Sequence, residues 1–470
     1  MCTELLLRPS LIFFARSSLE STSRNHKKEK TELKKIVILG AGISGLSLGW
    51  FLKDQNIIIL EKGSRSGGWL ESIDQDGFLF EQGPRSCRPS GAGTQTLQLI
   101  EELNLQDQVI VGNRNAKKRY LWSDAKLRRL NPLTLLLKPF LWKGIWKDLR
   151  SPRTVNEDES IYDFFSRRFG TEIAHKLIDP MATGIYAGDI RQLSLRSCFP
   201  SFWENEQKHG SLIRAAFTNK EKPNLSPFIQ NMQKHSLFSF QNGMKTLTET
   251  LSSELKNKIQ LNKEVKSLEF QSDGARILLS NGEEITADHV YSTLPANSLA
   301  SIIPNPLSEK LKQFQNTSVS VVNLGYRKNV LPKQGFGYLI PSQEKEEILG
   351  VVWDSSAFPE QNRNSEETRL TVMIGGAHMQ HFHDYSESDF IQMSLRAISK
   401  HLGIQKHPDS IAIKLAPDSI PQYQVGHFNQ IRALEPLTPK RLTLLGTSFY
   451  GVAVNDCIAK AYQVANEESD

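Results

Sequence analysis

A chain of 470 residues is long for one hydrophobic core, so its length predicts two or three subdomains with room for a large enclosed site between them. With 39% hydrophobic and 23% charged residues, the composition is that of a globular enzyme, which excludes fibrous and low-complexity classes. The net charge of +6 indicates no particular partner by itself, and no apolar run approaches the ~18 residues that a membrane-spanning helix needs.

Residues 1–33 differ in character from the rest of the chain. The stretch is apolar with interspersed Arg and Ser, and it ends in a charged tail before the first predicted strand. Such a composition is typical of a mitochondrial presequence, although Glu4 and Glu20 count against one. A disordered extension or a misplaced start codon is the alternative. We expect the fold to begin after this segment.

The first predicted element of the fold is a strand, a tight turn and a helix. Residues 36–39 are apolar and largely β-branched, and an apolar helical pattern follows the turn. Gly40, Gly42 and Gly45 form GxGxxG, in which the glycines allow the turn, the close approach of a pyrophosphate and the packing of helix on strand. The phosphate charge would lie at the helix N-terminus. The pattern predicts dinucleotide binding.

The next strand and the loop after it narrow the choice of dinucleotide. Residues 56–60 form an apolar strand that ends at Glu61, whose carboxylate can accept hydrogen bonds from ribose hydroxyls and would repel a 2′-phosphate. NADP is therefore disfavoured. Arg65, Gly67 and Gly68 add a second glycine-rich turn with a cation, which suits a longer cofactor. This combination favours FAD over NAD.

The far C-terminus supplies a matching piece. A predicted strand ends at Gly446, and Gly451 precedes an apolar helix start at Val452, Ala453 and Val454. Backbone N–H groups at that helix start could face the flavin pyrimidine edge, where negative charge develops on reduction. We therefore predict one non-covalent FAD per chain, held by both ends of the polypeptide.

These pieces predict an α/β fold class with a split domain. A Rossmann-like FAD-binding domain would combine residues 34–91, 239–297 and 425–470. A helical, membrane-associating insertion would occupy residues 92–238, and a mixed α+β substrate domain would occupy residues 298–424. The sequence contains no internal repeat.

The first insertion carries most of the basic charge. Between residues 114 and 153, twelve Lys and Arg residues face only Asp124 and Asp148. Residues 131–147 mix Leu, Phe and Trp with spaced lysines, which predicts contact with a membrane surface through the lipid headgroups. A buried helical hairpin with a solvated basic edge fits the same composition. No recognised nucleic-acid motif accompanies the charge, so we expect no nucleic-acid partner.

Several longer stretches carry a family resemblance. They are FEQGPRSCRPSG at residues 80–91, SLRSCFPSFWENEQ at 194–207, SVSVVNLGY at 318–326, GFGYLIP at 335–341, IPQYQVGH at 420–427 and YGVAVNDC at 450–457. With the flavin motifs, the chain resembles the oxygen-dependent protoporphyrinogen oxidases, animal type, within the flavin amine-oxidase superfamily. The resemblance covers nearly everything after residue 33 and implies an amine-oxidase architecture, similar to that of p-hydroxybenzoate hydroxylase.

The resemblance implies an activity and a setting. Protoporphyrinogen IX would be oxidised to protoporphyrin IX, with dioxygen reoxidising FAD and releasing hydrogen peroxide, in the penultimate step of haem biosynthesis. It also implies a peripheral enzyme on the mitochondrial inner membrane, if the source is eukaryotic. A bacterial cytoplasm, or the cytoplasmic face of a bacterial membrane, is the alternative. A homodimer and handover of the product to ferrochelatase are further expectations.

The resemblance also implies site residues. Arg88 would pair with a substrate propionate, and Gly184, Leu324 and Met373 would line the substrate pocket. No acid or base is assigned. HMQHFH, with His378, His381 and His383, matches no usual zinc spacing, so no metal is predicted. The motifs and the resemblance together predict these cofactor contacts: Gly40, Gly42, Ile43, Ser44, Gly45, Glu61, Lys62, Arg65, Gly67, Gly68, Trp69, Gly83, Pro84, Arg85, Val265, Gly446, Val452, Ala453 and Val454.

Three alternatives stay open at this point. Coproporphyrinogen III has four propionates and would need more cationic partners than Arg88. An amine oxidase would need an acidic or aromatic cage where this chain has GPRSCRPSG. A non-catalytic flavoprotein that acts as a membrane scaffold would bind FAD without reacting with a porphyrinogen.

Overall fold

The computed structural model describes residues 34–131, 136–218 and 224–467. The extension predicted for residues 1–33 lies outside the described residues. Two sheets and one helical unit make up most of the described chain. Their arrangement determines where the residues singled out above can meet.

A five-stranded sheet, here called the parallel sheet, forms the first unit. Ile36 and Ile38 point to one face of it, whereas Val37 and Leu39 point to the other, because side chains alternate along a strand. All four side chains are at most 1% exposed. Neighbouring strands pair in parallel, in the spatial order Leu442–Leu444, His289–Ser292, Lys35–Leu39, Asn56–Leu60 and Ile259–Gln260.

Both faces of the parallel sheet are covered, as parallel sheets require. One face packs on the helices Ile43–Phe51, Gly93–Glu102, Lys245–Glu254 and Val454–Glu467. The other packs on a three-stranded antiparallel sheet, Val265–Phe270, Ala275–Leu279 and Glu284–Ala287, and on the helices Ala296–Ala300 and Leu307–Leu311. The five strands lie within the three segments predicted for the split domain, whose boundaries stay predictions.

A seven-stranded sheet, here called the large sheet, forms the second unit. One of its faces packs on the helix Glu387–Leu402, which begins with a capping box between Ser386 and Asp389. Its strands lie in the order Ser410–Pro421, Asn316–Tyr326, Thr368–Gly375, Gly350–Trp353, Gly337–Leu339, Arg119–Ser123 and Lys126–Leu130.

The last two strands of the large sheet come from the insertion that was predicted to be helical. Tyr120 and Trp122 point to one face of the strand and pack into the core beneath the helix Glu387–Leu402, whereas Arg119, Leu121 and Ser123 point to the other. Asp124 and Ala125 turn the chain with φ values of 52° and 53°, as a tight hairpin requires. The prediction that residues 92–238 are helical is therefore wrong for this hairpin, because its period of two favours a strand.

Residues 139–216 of that insertion form a helical unit around an aromatic core that includes Phe164, Phe165 and Phe202. Among the described residues, no helix combines the length and apolarity needed to cross a bilayer. The helices of this unit are Pro139–Arg150, Ile161–Phe169, Thr171–Ile173, Asp179–Tyr186, Leu195–Cys198, Pro200–His209 and Leu212–Ala216, with a π-helical turn at Ala174–Ile178. The helix Pro227–Met232 packs instead in the core of the parallel sheet, beside Gly93–Glu102.

Shorter elements join these units. The strand pairs are Ser72–Gln75 with Phe78–Glu81, and Val109–Val111 with Phe238–Phe240. Further helices are Asp354–Ala357 and His427–Leu434. Single 3-10 turns lie at Gln106–Gln108, Arg114–Lys117, Ser342–Glu344, Pro359–Gln361, Phe382–Asp384 and Glu435–Leu437.

Candidate functional site

The two glycine turns near the N-terminus pack against each other. Gly40 has a φ of +97°, and a Cβ on Gly45 would lie 1.9 Å from the Gly40 carbonyl oxygen, so both positions require glycine. The Gly67 N–H donates to the Ala41 carbonyl at 2.8 Å, and a Cβ on Gly42 would lie 4.0 Å from the Gly68 Cα. The two turns therefore place bare backbone side by side, without side chains between them.

The helix that follows begins without a side-chain cap. Gly42 is its N-cap, and no side chain among the described residues accepts a hydrogen bond from its first turn. The first N–H groups of a helix have no partner within it, so those at Ile43, Ser44 and Gly45 are suited to an anionic ligand. This geometry fits the pyrophosphate of a dinucleotide.

Glu61 lies at the same edge of the parallel sheet. Its carboxylate accepts the Ala41 N–H at 2.9 Å and the Gly63 N–H at 2.8 Å, which fixes it beside the glycine turn. Val265 lies nearby, two residues after Lys263, whose N–H donates to the Glu61 carbonyl at 2.8 Å. The carboxylate therefore has the position that a ribose-binding acid has in dinucleotide folds.

The loop between Glu61 and the next strand bends back on itself. The Arg65 guanidinium donates to the Gly68 carbonyl at 2.9 Å and pairs with Glu71 at 2.9 Å. Lys62 precedes this loop, and the Trp69 side chain within it is 42% exposed. A Cβ on Gly83 would lie 2.0 Å from the Trp69 carbonyl oxygen, so the Gly83-Pro84 segment packs directly on the loop.

The C-terminal turn meets the first turn across Thr293. A Cβ on Gly40 would lie 2.9 Å from Thr293 Oγ1, and one on Gly446 would lie 3.0 Å from the Thr293 carbonyl oxygen. The helix start at Val454 follows, after the partly exposed Val452 and the exposed Ala453. The structure thus brings both ends of the described chain to one edge of the parallel sheet.

Two buried carboxyl groups lie close to this edge. The Asp456 carboxylate accepts the Ala453 N–H at 3.3 Å, and burial raises the pKa of Asp456 to about 6. Glu81 accepts the Met244 N–H and the Ser72 hydroxyl, both at 2.7 Å, and burial raises its pKa to about 7. Both groups therefore exchange protons near neutral pH.

Arg85 was predicted as a cofactor contact, and the structure places its guanidinium against the large sheet. Its Nη1 lies 2.9 Å from Asp354 Oδ1, and both side chains are 10% exposed. The other Asp354 oxygen accepts the Thr371 hydroxyl at 2.8 Å. The ion pair joins the segment after the strand Phe78–Glu81 to the large sheet. A role of Arg85 toward the cofactor stays a prediction.

The face of the large sheet opposite the helix Glu387–Leu402 carries a row of small and apolar residues. Leu339, Gly350, Met373 and Val321 lie side by side in register across four strands. A Cβ on Gly184 would lie 3.0 Å from the Leu339 side chain, so the helix Asp179–Tyr186 approaches this row. The predicted residues Gly184 and Met373 therefore belong to one surface.

Leu324 lies elsewhere. Its side chain is 0% exposed and packs with Val322 and Tyr326 beneath the helix Glu387–Leu402, on the face opposite Met373. The register explains the difference, because Val321 pairs with Met373 and Leu324 lies three positions after Val321, on the opposite face of the strand. The structure does not bring Leu324 to the row, and we assign it to the core.

Two guanidinium groups lie near one end of the row. Arg119 pairs in register with Gly337, two residues before Leu339 on the neighbouring strand, and its guanidinium carbon lies 4.7 Å from the centre of the Phe336 ring. Burial and the nearby charge of Arg88 lower the pKa of Arg119 to about 10. Burial also lowers the pKa of Arg88.

Neither guanidinium forms an ion pair within the described ranges. Two neighbouring cations that are largely buried without a carboxylate are unfavourable unless an anion joins them. The Arg88 backbone is held in place, because Asn455 Nδ2 donates to its carbonyl at 2.9 Å. The pair is therefore suited to bind a carboxylate or phosphate ligand.

Sequence reasoning missed Arg119, Phe336 and Leu339. The alternation of Tyr120 and Trp122 toward the core could have placed Arg119 on the opposite face, and Tyr338 and Ile340 give the same signal for Leu339.

Of the three neighbouring histidines, His381 lies 3.6 Å from Asp384. In the part of the chain that the structure describes, no three His, Cys, Asp or Glu side chains are placed to hold a metal.

The paired glycine turns, the uncapped helix and the fixed carboxylate define a flavoprotein-type dinucleotide fold, and comparisons with known proteins agree. The family model described as flavin containing amine oxidoreductase matches residues 43–467. A solved structure from Exiguobacterium sp. 255-15 superposes with a TM-score of 0.77 at 23% identity, covering 93% of this chain and 98% of that one. A putrescine oxidase superposes with a TM-score of 0.69 at 14% identity, covering 93% of this chain and 98% of that one.

Curated relatives narrow the class. Over 92% of this chain and 97% of each relative, the chain is 36% identical to protoporphyrinogen oxidase of Bos taurus and 35% identical to that of Homo sapiens. It is 29% identical to coproporphyrinogen III oxidase of Bacillus subtilis, over 90% of this chain and 96% of that relative. The chain therefore belongs to the flavin-containing amine oxidoreductase family, among the protoporphyrinogen oxidases, and its cofactor is FAD.

Proposed function

We propose that the protein oxidises protoporphyrinogen IX to protoporphyrin IX, with dioxygen as the final acceptor and hydrogen peroxide as the reduced product. FAD supplies the redox chemistry, over roughly three two-electron oxidations per macrocycle. The observation that carries the proposal is that Arg88 and Arg119 lie close together at one end of the apolar row, without a carboxylate partner among the described residues. The protoporphyrinogen oxidase relatives support the same substrate.

The surroundings of that row suit a macrocycle with charged groups on one side. Leu339, Gly350 and Met373 offer an apolar surface without bulky polar groups, which a tetrapyrrole can cover. Arg88 and Arg119 would hold propionate carboxylates by charge-assisted hydrogen bonds. Binding at that end would orient the ring toward FAD, and the protein's contribution is this orientation and the exclusion of water.

An anaerobic titration tests the proposed activity. We expect the flavin absorbance of the purified holoenzyme to bleach on addition of protoporphyrinogen IX and to return on admission of dioxygen, with release of hydrogen peroxide. Coproporphyrinogen III is the comparison substrate, since its additional propionates would need further cations. Faster bleaching by coproporphyrinogen III would overturn the substrate assignment, and no bleaching by either would leave a non-catalytic flavoprotein.

We also propose that the helix Pro139–Arg150 lies on a membrane surface. The Trp142 and Trp146 side chains are 52% and 57% exposed, which disfavours the buried-hairpin alternative. Leu137 just before the helix is 81% exposed, and Lys143 and Lys147 lie among these apolar groups. Exposed aromatic residues beside lysines are typical of segments in an anionic lipid interface.

Vesicle flotation of the holoenzyme tests the membrane surface. Replacing both Trp142 and Trp146 with Ala is expected to lower the fraction bound to anionic vesicles at least about tenfold, because two interfacial aromatic side chains are lost. Tyr385→Ala, at an exposed aromatic residue on the large-sheet unit, is the control and should leave binding unchanged. Equal binding of the double variant and the control would contradict the proposal.

Mitochondrial location, a homodimer and handover to ferrochelatase stay predictions.

A further inference from the structure

One buried tyrosine outside the predicted site is bonded to the C-terminal turn. The Tyr423 side chain is 1% exposed, and its ring stacks on that of His427 at 4.1 Å between centroids. Its hydroxyl donates to the Thr447 carbonyl and accepts the Gly451 N–H at 2.8 Å. One phenol oxygen therefore bridges two backbone groups four residues apart.

The bridged segment is the one that leads into the helix Val454–Glu467. Gly446 and Gly451 have φ values of +98° and +119°, so the chain between them needs an external restraint to keep a single conformation. Ser448 provides one such restraint, since its hydroxyl accepts the Ala296 N–H at 3.0 Å. Tyr423 provides another, directly at Gly451.

The same tyrosine is also bound to the helical unit. Its backbone carbonyl accepts the Ser194 N–H at 2.7 Å, and Cys198 Sγ lies 3.7 Å from that oxygen. The hydroxyl contacts the turn and the carbonyl contacts the helical unit, so the position of the turn is tied to that of the helices beside Gly184. A phenylalanine at this position would keep the packing and lose only the contacts to the turn.

We infer that Tyr423 is a positioning residue for the flavin, which acts by fixing the turn from Thr447 to Gly451 and hence the backbone donors at Val452 and Val454. The Ala453 N–H between them is bonded to the Asp456 carboxylate. The inference rests on the proposed function, because it takes those donors as contacts of FAD. FAD gains negative charge on reduction, and donors at a helix start stabilise such charge only when they point at it. Tyr423 therefore favours reduced over oxidised FAD.

The test is Tyr423→Phe in the purified holoenzyme, with FAD affinity and flavin midpoint potential as readouts. We expect the dissociation constant of oxidised FAD to rise about tenfold, because the turn loses the bonds of the hydroxyl to Thr447 and Gly451. The affinity for reduced FAD should fall roughly tenfold more than that for oxidised FAD, which lowers the two-electron midpoint potential by about 30 mV. Tyr186→Phe is the matched control, since the Tyr186 side chain is 5% exposed and its hydroxyl donates to the Cys198 carbonyl at 2.9 Å.

Each outcome decides the inference. Affinity and potential of Tyr423→Phe equal to those of Tyr186→Phe would overturn it. If Tyr423→Phe does not yield folded protein, 3,5-difluorotyrosine at position 423 keeps the ring and hydroxyl while changing hydrogen-bond strength, and an unchanged potential would then overturn the inference. Failure of the unmodified holoenzyme to oxidise any porphyrinogen would instead contradict the proposed function, so the two failures are distinguishable.

Discussion

Replacing Arg119 with Ala is expected to lower kcat/KM for protoporphyrinogen IX on the order of a hundredfold while FAD stays bound. A hydrogen bond between charged groups contributes about 1.5–3 kcal/mol, which corresponds to roughly 10- to 150-fold. Arg119 lies toward the upper part of that range because its guanidinium is held against the Phe336 ring, with its centre 4.7 Å away. Steady-state kinetics with matched flavin content checks the result.

Arg88→Ala is expected to lower kcat/KM for protoporphyrinogen IX roughly 10- to 100-fold. The double variant, with Ala at both Arg88 and Arg119, separates two modes of binding. If Arg88 and Arg119 hold one carboxylate together, the double variant should lose less than the product of the single losses. If each holds its own propionate, the losses should multiply. Arg119→Lys should recover only part of the efficiency, because an ammonium lacks the bidentate fork. Arg114→Ala, at an exposed arginine five residues earlier, is the control.

Stability separates binding from a structural role for Arg119. A structural arginine would have a carboxylate partner, and its removal would lower the free energy of unfolding. Arg119 lies beside another cation instead, so its removal should leave the free energy of unfolding of the substrate-free protein unchanged or slightly raised. A large loss of stability with unchanged kinetics would contradict the assignment.

The cofactor edge was predictable because its determinants are local. Gly40, Gly42 and Gly45 permit a backbone path that other residues obstruct, and a strand on each side confirms the context. Glu61 follows the second strand directly, so its position at the sheet edge follows from strand length alone. Contacts such as the Tyr423 hydroxyl on Gly451 join residues 28 apart and leave no local pattern.

The proposed substrate face was less predictable, because it depends on which strands become neighbours. Met373 was named and lies in the row, whereas Leu324 was named and lies in the core. Arg119 reaches the row only because the strand Arg119–Ser123 pairs in parallel with Gly337–Leu339, more than 200 residues later in the chain. Lys117 and Lys118 precede it in the sequence, so composition assigned it to the basic surface.

Arg168 shows the same limit within the helical unit, where its neighbours Arg167 and Phe169 give no sign of a buried ion pair. The structure gives it 0% exposure and two carboxylate partners, Asp148 Oδ1 at 2.7 Å and Glu206 Oε1 at 2.6 Å, both fully buried. Its Nη2 also donates to the Gly210 carbonyl at 3.0 Å. The second Asp148 oxygen accepts the Ser211 hydroxyl at 2.5 Å, so this cluster attaches the helix Pro139–Arg150 to the rest of the unit.

Replacing Arg168 with Ala is expected to lower the free energy of unfolding by about 3–5 kcal/mol, because the buried Asp148 carboxylate loses its cation and Glu206 retains only the partly exposed Arg167. Urea unfolding of the holoenzyme, followed by circular dichroism, measures the change. Arg128→Ala is the matched control, since Arg128 and Asp124 form an exposed pair at 2.8 Å, and it should change stability by less than about 1 kcal/mol. Arg168→Ala should also weaken vesicle binding, because the helix that carries Trp142 and Trp146 loses its attachment. Equal stability of the two variants would show that the buried cluster does not hold this helix.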